Sequence, residues 1–564
     1  MLSILGNTMK EKVFVVLIAV FLLASFAPTF YEIAHRDRLH SIREFELVHN
    51  FPTDFNFYLS RIRQGMEGRL TVVERYTSEK HQGSFLQEFY LLLGWTGRVL
   101  HIPPRESAYV YHVARFVFGF FLLYILGKVI QQIIAGRTWQ IITFLLVVTA
   151  SSWPRITYEQ GQWYLTGFMR WWSLVDPLIR ISFIPHLLVG QTLILLLLVK
   201  ATDPTIIQRP RAWLVFGLLA FLLGVIFPPG LLFVIVGLIV HSCIEAVFLQ
   251  NGQRERQGWI TIILGRIILV ALSLPALVYV QLIVSFYPWK RLVEFDAIHP
   301  TAYLFIEYIK SVGPILPLGL LGIIFAFVRK RTELFVFASW VITWLLMLEV
   351  FRHTSQTSPL RLTQMVPQIP LGILSGFFFY ELTIFVKKSH HTMSKLTSLV
   401  ILLMPFVLIT YGFVMMYQSF LSQKDFIDHK MRADLPLVPS GTYVMYPLKD
   451  FVSALSFLET ETPQNAVVLS DTTVGNYIPV YSGRIVYIGH DNTVFYEEKV
   501  DLARYFYSGR MNNEQARQWF TNSRISYVVF GPQEREQGLG DLQERYPFLI
   551  RLYENSFFQI FRVE

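Results

Sequence analysis

Apolar residues stand along this chain in long runs that follow neither a helical nor a strand period. They lie near residues 13–30, 109–127, 138–152, 181–199, 213–227, 230–249, 260–284, 315–328, 333–350, 367–386 and 396–418. A hydrocarbon core about 30 Å thick takes roughly 20 apolar residues in a helix, since each backbone polar group must be satisfied within the segment. The pattern predicts a polytopic α-helical membrane protein with about eleven transmembrane helices. The first run follows Lys10 and Lys12 and leads into Pro28-Thr29-Phe30-Tyr31, a poor site for signal cleavage, so it is read as a retained helix.

After about residue 419 the texture changes. Ala466 to Leu469, Arg484 to Ile488 and Ser526 to Phe530 are short β-branched runs, with helix-like segments at 500–507 and 513–522 between them. This alternation predicts a soluble α/β domain over 419–564, following a transmembrane domain over 1–418 that carries a large first loop at 31–108.

Charge gives the pattern a direction. With the N-terminus inside, the cytoplasmic links carry Lys10 and Lys12; Lys128 and Arg137; Lys200, Arg209 and Arg211; Arg254 and Arg256; Arg329, Lys330 and Arg331; and Lys387, Lys388 and Lys395. Alternate links are basic, as the positive-inside rule requires. The outer links are then 31–108, 153–180, a Pro228-Pro229-Gly230 turn, 285–314, 351–366 and the C-terminal domain. The expectation is a multi-pass protein of the cell membrane, plasma or inner, with a cytoplasmic N-terminus and an extracytoplasmic C-terminal domain.

Composition agrees: 53% of the 564 residues are hydrophobic and 15% aromatic, too apolar for a soluble chain of this length. The net charge of +9 sits in the short inter-helix links, which reads as topology and not as nucleic-acid binding. A single cysteine, Cys243, excludes an intramolecular disulfide and a cysteine-based metal cluster. The few charges inside apolar runs, Glu245, Arg266 and Glu381, fall near cytoplasmic ends, where long side chains reach water. The acids gather in outer loops instead, which favours chemistry at the outer surface over a conduction path.

The most informative loop is the first, Phe51-Pro52-Thr53-Asp54-Phe55-Asn56-Phe57-Tyr58. Here Asp54 can cap a short amphipathic helix whose Phe57, Ile62 and Met66 form a face for the membrane interface. Tyr76-Thr77-Ser78-Glu79 follows, then a second amphipathic segment, Phe85 to Gly94. Gly489-His490-Asp491-Asn492 after a strand looks like a site, with a plain turn as the favoured reading. The aromatic loop from Trp153 to Trp172 reads as an interfacial belt, with sugar stacking as the sharper alternative.

A long first outer loop with an Asp soon after the first helix, two amphipathic segments, and many spans feeding an outer α/β domain resemble the GT-C superfamily of polytopic glycosyltransferases. The Asp54 segment, the Thr77-Ser78-Glu79 segment and the stretch from Leu469 to His490 are similar to bacterial members of it. The resemblance implies a transferase that moves a hexosyl or pentosyl group, with inversion, from a polyprenyl-phosphate-linked donor to a glycan, lipid or protein acceptor on the outer face. Such chemistry needs a carboxylate to take the acceptor's proton as it attacks the anomeric carbon. Asp54 is the candidate base and Glu79 the second catalytic candidate. The leaving phosphate calls for basic groups at outer helix ends, and Arg180, His186, Arg352 and Arg361 are the candidates. In metal-dependent relatives a divalent cation, Mg or Mn, offsets that charge. Glu294-Phe295-Asp296 resembles the superfamily's acidic pattern, while Glu159 and Asp176, in the loop where that pattern more often lies, stand alone. The rival readings are a lipid-linked glycan flippase or other transporter, and a non-catalytic membrane scaffold with an outer binding domain.

Overall fold

The computed structural model of the protein describes residues 9–49, 51–159, 161–248, 256–298, 303–354, 360–388, 395–438, 446–538 and 540–564. All eleven apolar runs are helical, but they are not equivalent. Six helices are long and apolar enough to cross a membrane: Pro104–Ile133, Pro228–Phe248, Ile260–Ile283, Thr332–Phe351, Gln368–Lys388 and Thr397–Arg432. Two further runs are bent helix pairs, Lys12–Ser25 with Ala27–Ala34 and Phe305–Val312 with Ile315–Val328, the second bent by 73°.

The remaining three, Arg137–Val148, Pro185–Lys200 and Pro210–Ile226, are shorter. By length and composition the described residues therefore hold up to eight spans, where the hydropathy pattern suggested about eleven. At 1.5 Å per residue the 12-residue helix Arg137–Val148 rises about 18 Å, well short of the hydrocarbon thickness. The expected Pro228-Pro229-Gly230 turn is also corrected. These residues begin the helix Pro228–Phe248, because proline suits a first turn whose N–H groups have no intrahelical partner. The last long helix, Lys395–Arg432, runs past the apolar stretch that ends near 418. Its polar end is supported by a Lys424–Asp428 pair at 2.8 Å with i,i+4 spacing.

The chain divides into two compact units that do not follow the linear boundary at 418. One comprises Met1–Pro28, Arg115–Tyr279 and Pro300–Gln423; the other comprises Thr29–Ala114, Val280–His299 and Lys424–Glu564. The first unit holds most of the apolar helices and a hairpin of β1 (Arg155–Glu159) and β2 (Gln162–Thr166), antiparallel from Arg155↔Thr166 to Glu159↔Gln162. Tyr158 and Trp163 pair across this hairpin with ring centroids 5.0 Å apart, and both are exposed.

The second unit is built on a five-stranded sheet of order β4-β3-β5-β7-β6, from β3 (Val467–Leu469), β4 (Ile485–Val486), β5 (Ile525–Phe530), β6 (Leu549–Glu554) and β7 (Gln559–Val563). β3 pairs in parallel with β4 and β5, and β7 pairs antiparallel with β5 and β6. The three β-branched runs of the sequence become β3, β4 and β5, and helices Tyr496–Tyr507 and Asn513–Ser523 stand where helix-like segments were expected. Successive strand residues point to opposite faces, and both faces are covered. Val468, Val486, Tyr527, Val529 and Ile560 pack in one cluster with helices Lys449–Glu461 and Thr472–Tyr481. Val467, Leu469, Val528, Phe530 and Phe561 pack in another with Phe506, Phe520 and Tyr546. The first cluster also takes in Phe57 and Tyr76. The first long loop thus supplies part of this domain's core, which is why the two form one compact unit.

Candidate functional site

Pro52 opens the helix Pro52–Met66 at its first position, with Phe51 extended before it as the N-cap. Asp54 is therefore not the cap that the sequence suggested. It lies in the first turn, where the helix dipole favours a negative charge, and no side-chain cap hydrogen bond ties it down. The interfacial face is also corrected: Phe57, Ile62 and Met66 are buried inside the protein. All residues of this helix except Thr53, Asp54 and Tyr58 are buried. The Asp54 side chain, 52% exposed, is the accessible acid on an otherwise enclosed helix.

Buried ionic contacts fix that helix. Arg61 pairs with Glu74 at 2.5 Å and stacks over the Phe57 ring at 3.8 Å. Arg63 binds Glu67 at 2.8 Å, Glu459 at 2.6 Å and the Val480 carbonyl at 2.9 Å. Removing one partner of such a pair strands a charge away from water, so these residues hold geometry.

The Thr472–Tyr481 helix meets the same segment. Asn56 Nδ2 donates to Asn476 Oδ1 at 2.8 Å, and Asn476 Nδ2 donates to the Gly489 carbonyl at 3.1 Å. Gly475 and Gly489 touch backbone to backbone. A Cβ on Gly475 would stand 2.0 Å from the Ile488 carbonyl oxygen, and one on Gly489 would stand 2.4 Å from that of Gly475. This contact sets His490 beside the Pro52–Met66 helix, with its Nε2 3.7 Å from Asp54 Oδ1. We expect Gly475→Ala to lower stability by about 1–3 kcal/mol, the usual range for overpacking, as a fall in the unfolding temperature of the detergent-solubilised protein. An unchanged unfolding temperature would mean that the backbones are not held this closely.

Glu79 is engaged differently. Its carboxylate pairs with Lys499 Nζ at 2.7 Å and accepts from Thr77 Oγ1. Burial pushes the Lys499 ammonium down from the usual lysine range, and the neighbouring Glu79 opposes that shift. Both residues line a polar cleft of about 410 Å³ together with Ser78, Lys80, Glu498 and Arg524. Glu79 is thus a paired carboxylate at a cleft wall, whereas Asp54 has, among the described residues, no ion pair other than its approach to His490.

The structure gives the remaining candidates separate settings. Arg180 is 5% exposed and donates to the backbone carbonyls of Leu174, Ala150 and Val175 at 2.9, 2.6 and 3.3 Å. Its guanidinium thus braces the loop ahead of the helix Pro185–Lys200, and Arg180 does not open that helix. His186 is half-buried in the helix's first turn. Arg352 is exposed and pairs with Glu349 at 3.0 Å, while Arg361 is exposed in the short helix Leu360–Thr363. These four belong to the unit of apolar helices; Asp54 and Glu79 belong to the other.

Glu294 and Asp296 do not form a chelating pair. Both lie on the helix Arg291–Ile298, where residues two apart point about 200° from each other. Glu294 is already bound by Lys290 at 3.0 Å and accepts from the Tyr287 hydroxyl at 2.8 Å. Asp176 Oδ1 accepts from the Leu178 and Ile179 amides at 2.8 and 3.3 Å and so closes a turn. Glu159 ends β1, and its side chain lies outside the described residues. Among the described residues no group of three or more His, Cys, Asp or Glu could hold a metal ion. No step is derived through a divalent cation.

His490 was not among the candidate site residues, because the favoured reading of its segment was a plain turn; a turn it is, but one that carries a buried imidazole to the exposed acid.

No protein-family model and no curated sequence matches the chain. Solved structures do match over nearly its whole length. The oligosaccharyltransferase AglB of Archaeoglobus fulgidus, in complex with an inhibitory peptide and a dolichol-phosphate, aligns with a TM-score of 0.52 at 11% identity, covering 96% of this chain and 73% of that one. The Archaeoglobus fulgidus oligosaccharyltransferase tethered with an acceptor peptide aligns at 0.53 and 9% identity, covering 98% and 74%. ArnT of Cupriavidus metallidurans, bound to undecaprenyl phosphate, covers 99% of this chain and 98% of its own at 12% identity, with a TM-score of 0.49. At these identities the likeness is one of fold.

Proposed function

We propose that this chain, which has the fold of the GT-C superfamily of membrane glycosyltransferases, itself transfers a sugar from a polyprenyl-phosphate-type lipid to an acceptor at the outer membrane face. The observation that carries the reading is Asp54: a half-exposed carboxylate, uncommitted to capping, on a helix otherwise buried and braced by ion pairs. Such preorganisation around one accessible acid suits a general base. The dolichol-phosphate and the acceptor peptide bound by the archaeal oligosaccharyltransferase support a lipid-linked donor and a separate acceptor here.

In the proposed reaction the acceptor heteroatom attacks the anomeric carbon while the bond from that carbon to the lipid phosphate oxygen breaks. The electron pair leaves with the phosphate, and the acceptor's proton passes to Asp54. A single displacement of this kind inverts the anomeric centre. Arg180 already spends its donors on backbone carbonyls and is not proposed as a contact for the leaving phosphate. Glu79, bound by Lys499, is proposed to shape the neighbouring cleft and not to move protons. The basic links of the sequence, with the N-terminus cytoplasmic, support an outer-face site.

The test is transfer by the purified protein in proteoliposomes supplied with a polyprenyl phosphate bearing a labelled sugar and with extracts of envelope glycan, lipid or protein. The expected result is label on an acceptor, with lipid phosphate released in equal amount. Label that crosses the bilayer while still attached to lipid would replace this reading with the flippase, and neither transfer nor crossing would leave the scaffold.

A further inference from the structure

His490 is 5% exposed and held on every side. Its ring stacks on Phe57 at 4.7 Å and 25°, and Tyr76 lies 5.4 Å away. The Asn492 backbone N–H donates to Nδ1 at 3.0 Å, which makes Nδ1 an acceptor and leaves the ring proton on Nε2. The turn is clamped to the first long loop, since Thr493 Oγ1 donates to the Tyr76 carbonyl at 2.6 Å and the Val494 amide donates to Thr77 Oγ1 at 3.3 Å. The Nε2 atom is itself buried and has no hydrogen-bond partner among the described residues. Buried donors are almost always paired, and the group that Nε2 faces is Asp54 Oδ1 at 3.7 Å.

We propose that His490 is a positioning residue for Asp54: its Nε2–H takes up Oδ1 when ligand enters, so that Oδ2 is turned outward to receive the acceptor's proton. The gap is too long for a hydrogen bond as it stands. The imidazole is locked, whereas Asp54 is half-exposed and free to rotate, so the acid closes the distance. Catalytic hydrogen bonds are commonly long before substrate binds and tighten in the complex. Phe57, the ring on which His490 stacks, lies three residues after Asp54 on the same helix, so one rigid element carries both the acid and the support for its partner. The Nε2 atom is closed to solvent, so His490 acts through Asp54 and does not touch ligand. The outward role of Asp54 rests on the transferase reading; the contact between the two side chains does not.

Two measurements test this. In transfer assays His490→Phe, which keeps a ring between Phe57 and Tyr76 but loses the donor, should lower kcat about ten- to a hundredfold with KM within twofold, as expected for one lost hydrogen bond to a charged group. His490→Gln, whose amide can place an N–H near Nε2, should recover most of that loss. Independently of turnover, in protein labelled with 15N-histidine, the Nε2–H signal absent from His490→Gln should move in Asp54→Asn. A signal that ignores Asp54→Asn overturns the contact whatever the enzyme catalyses. Equal loss in the Phe and Gln variants, together with a lowered unfolding temperature, would leave His490 a packing residue. Full activity in both would also overturn the proposal while leaving the transferase reading intact. If Asp54→Asn itself retains transfer, Asp54 is not the base and His490 has no catalytic group to position.

Discussion

Asp54→Asn should reduce the turnover of sugar transfer by about 10²- to 10⁴-fold, the usual contribution of a general base, while the donor lipid still binds. The substitution preserves shape and removes only the ability to accept a proton. Asp54 caps nothing and is half-exposed, so the helix Pro52–Met66 keeps its brace of Arg61 with Glu74 and Arg63 with Glu67 and Glu459. Unfolding temperature and donor binding should therefore match wild type within error. The split between kcat and binding distinguishes a base from a structural acid, which would lower all three. Wild-type turnover in the variant would remove the assignment.

Stability should fall as pH rises from about 4.5 to 8, and Glu46→Gln should flatten that slope. Glu46 is a buried acid of the first long loop with neither carboxylate oxygen hydrogen-bonded among the described residues, and burial pushes it up to about 8, with Lys430 opposing. In the unfolded chain it loses its proton near 4.5. Between those values the folded state holds a proton that the unfolded state has released, so each step up in pH favours unfolding. The window corresponds to a difference on the order of 4 kcal/mol between wild type and variant. Parallel stability profiles for the two proteins across that window would show that Glu46 is not held protonated.

How far the sequence could be read depended on the kind of signal. Each apolar run located a helix, because a spanning segment must satisfy its own backbone and needs no partner to be recognised, though the last helix extends to Arg432, well past the run that ends near 418. The runs do not separate long spans from shorter apolar helices, since an apolar run of 12 to 17 residues looks the same whether it crosses a membrane or packs within the protein. Three strands of the soluble domain were legible from β-branched runs. β6 and β7 were not singled out: Leu549–Glu554 and Gln559–Val563 mix apolar with charged residues, and only antiparallel pairing makes strands of them.

The candidate residues separate on the same principle. Asp54 stood out because an acid early in a long outer loop is a local feature. Glu294 and Asp296 looked alike in sequence, and a helix turned them apart. Arg180 looked like a free guanidinium and is bound to backbone carbonyls.

By itself, then, the sequence determined that the chain holds many apolar helices, which ends of those helices are basic, and that its C-terminal part contains a sheet region. These follow from composition and short-range periodicity. Only the tertiary structure decided that the first long loop and the C-terminal sheet share one core, through Phe57 and Tyr76, and that His490 lies against Asp54 across more than 400 residues of chain. Contacts of that kind are made by burial and backbone fit, as at Gly475 and Gly489, and no local pattern encodes them.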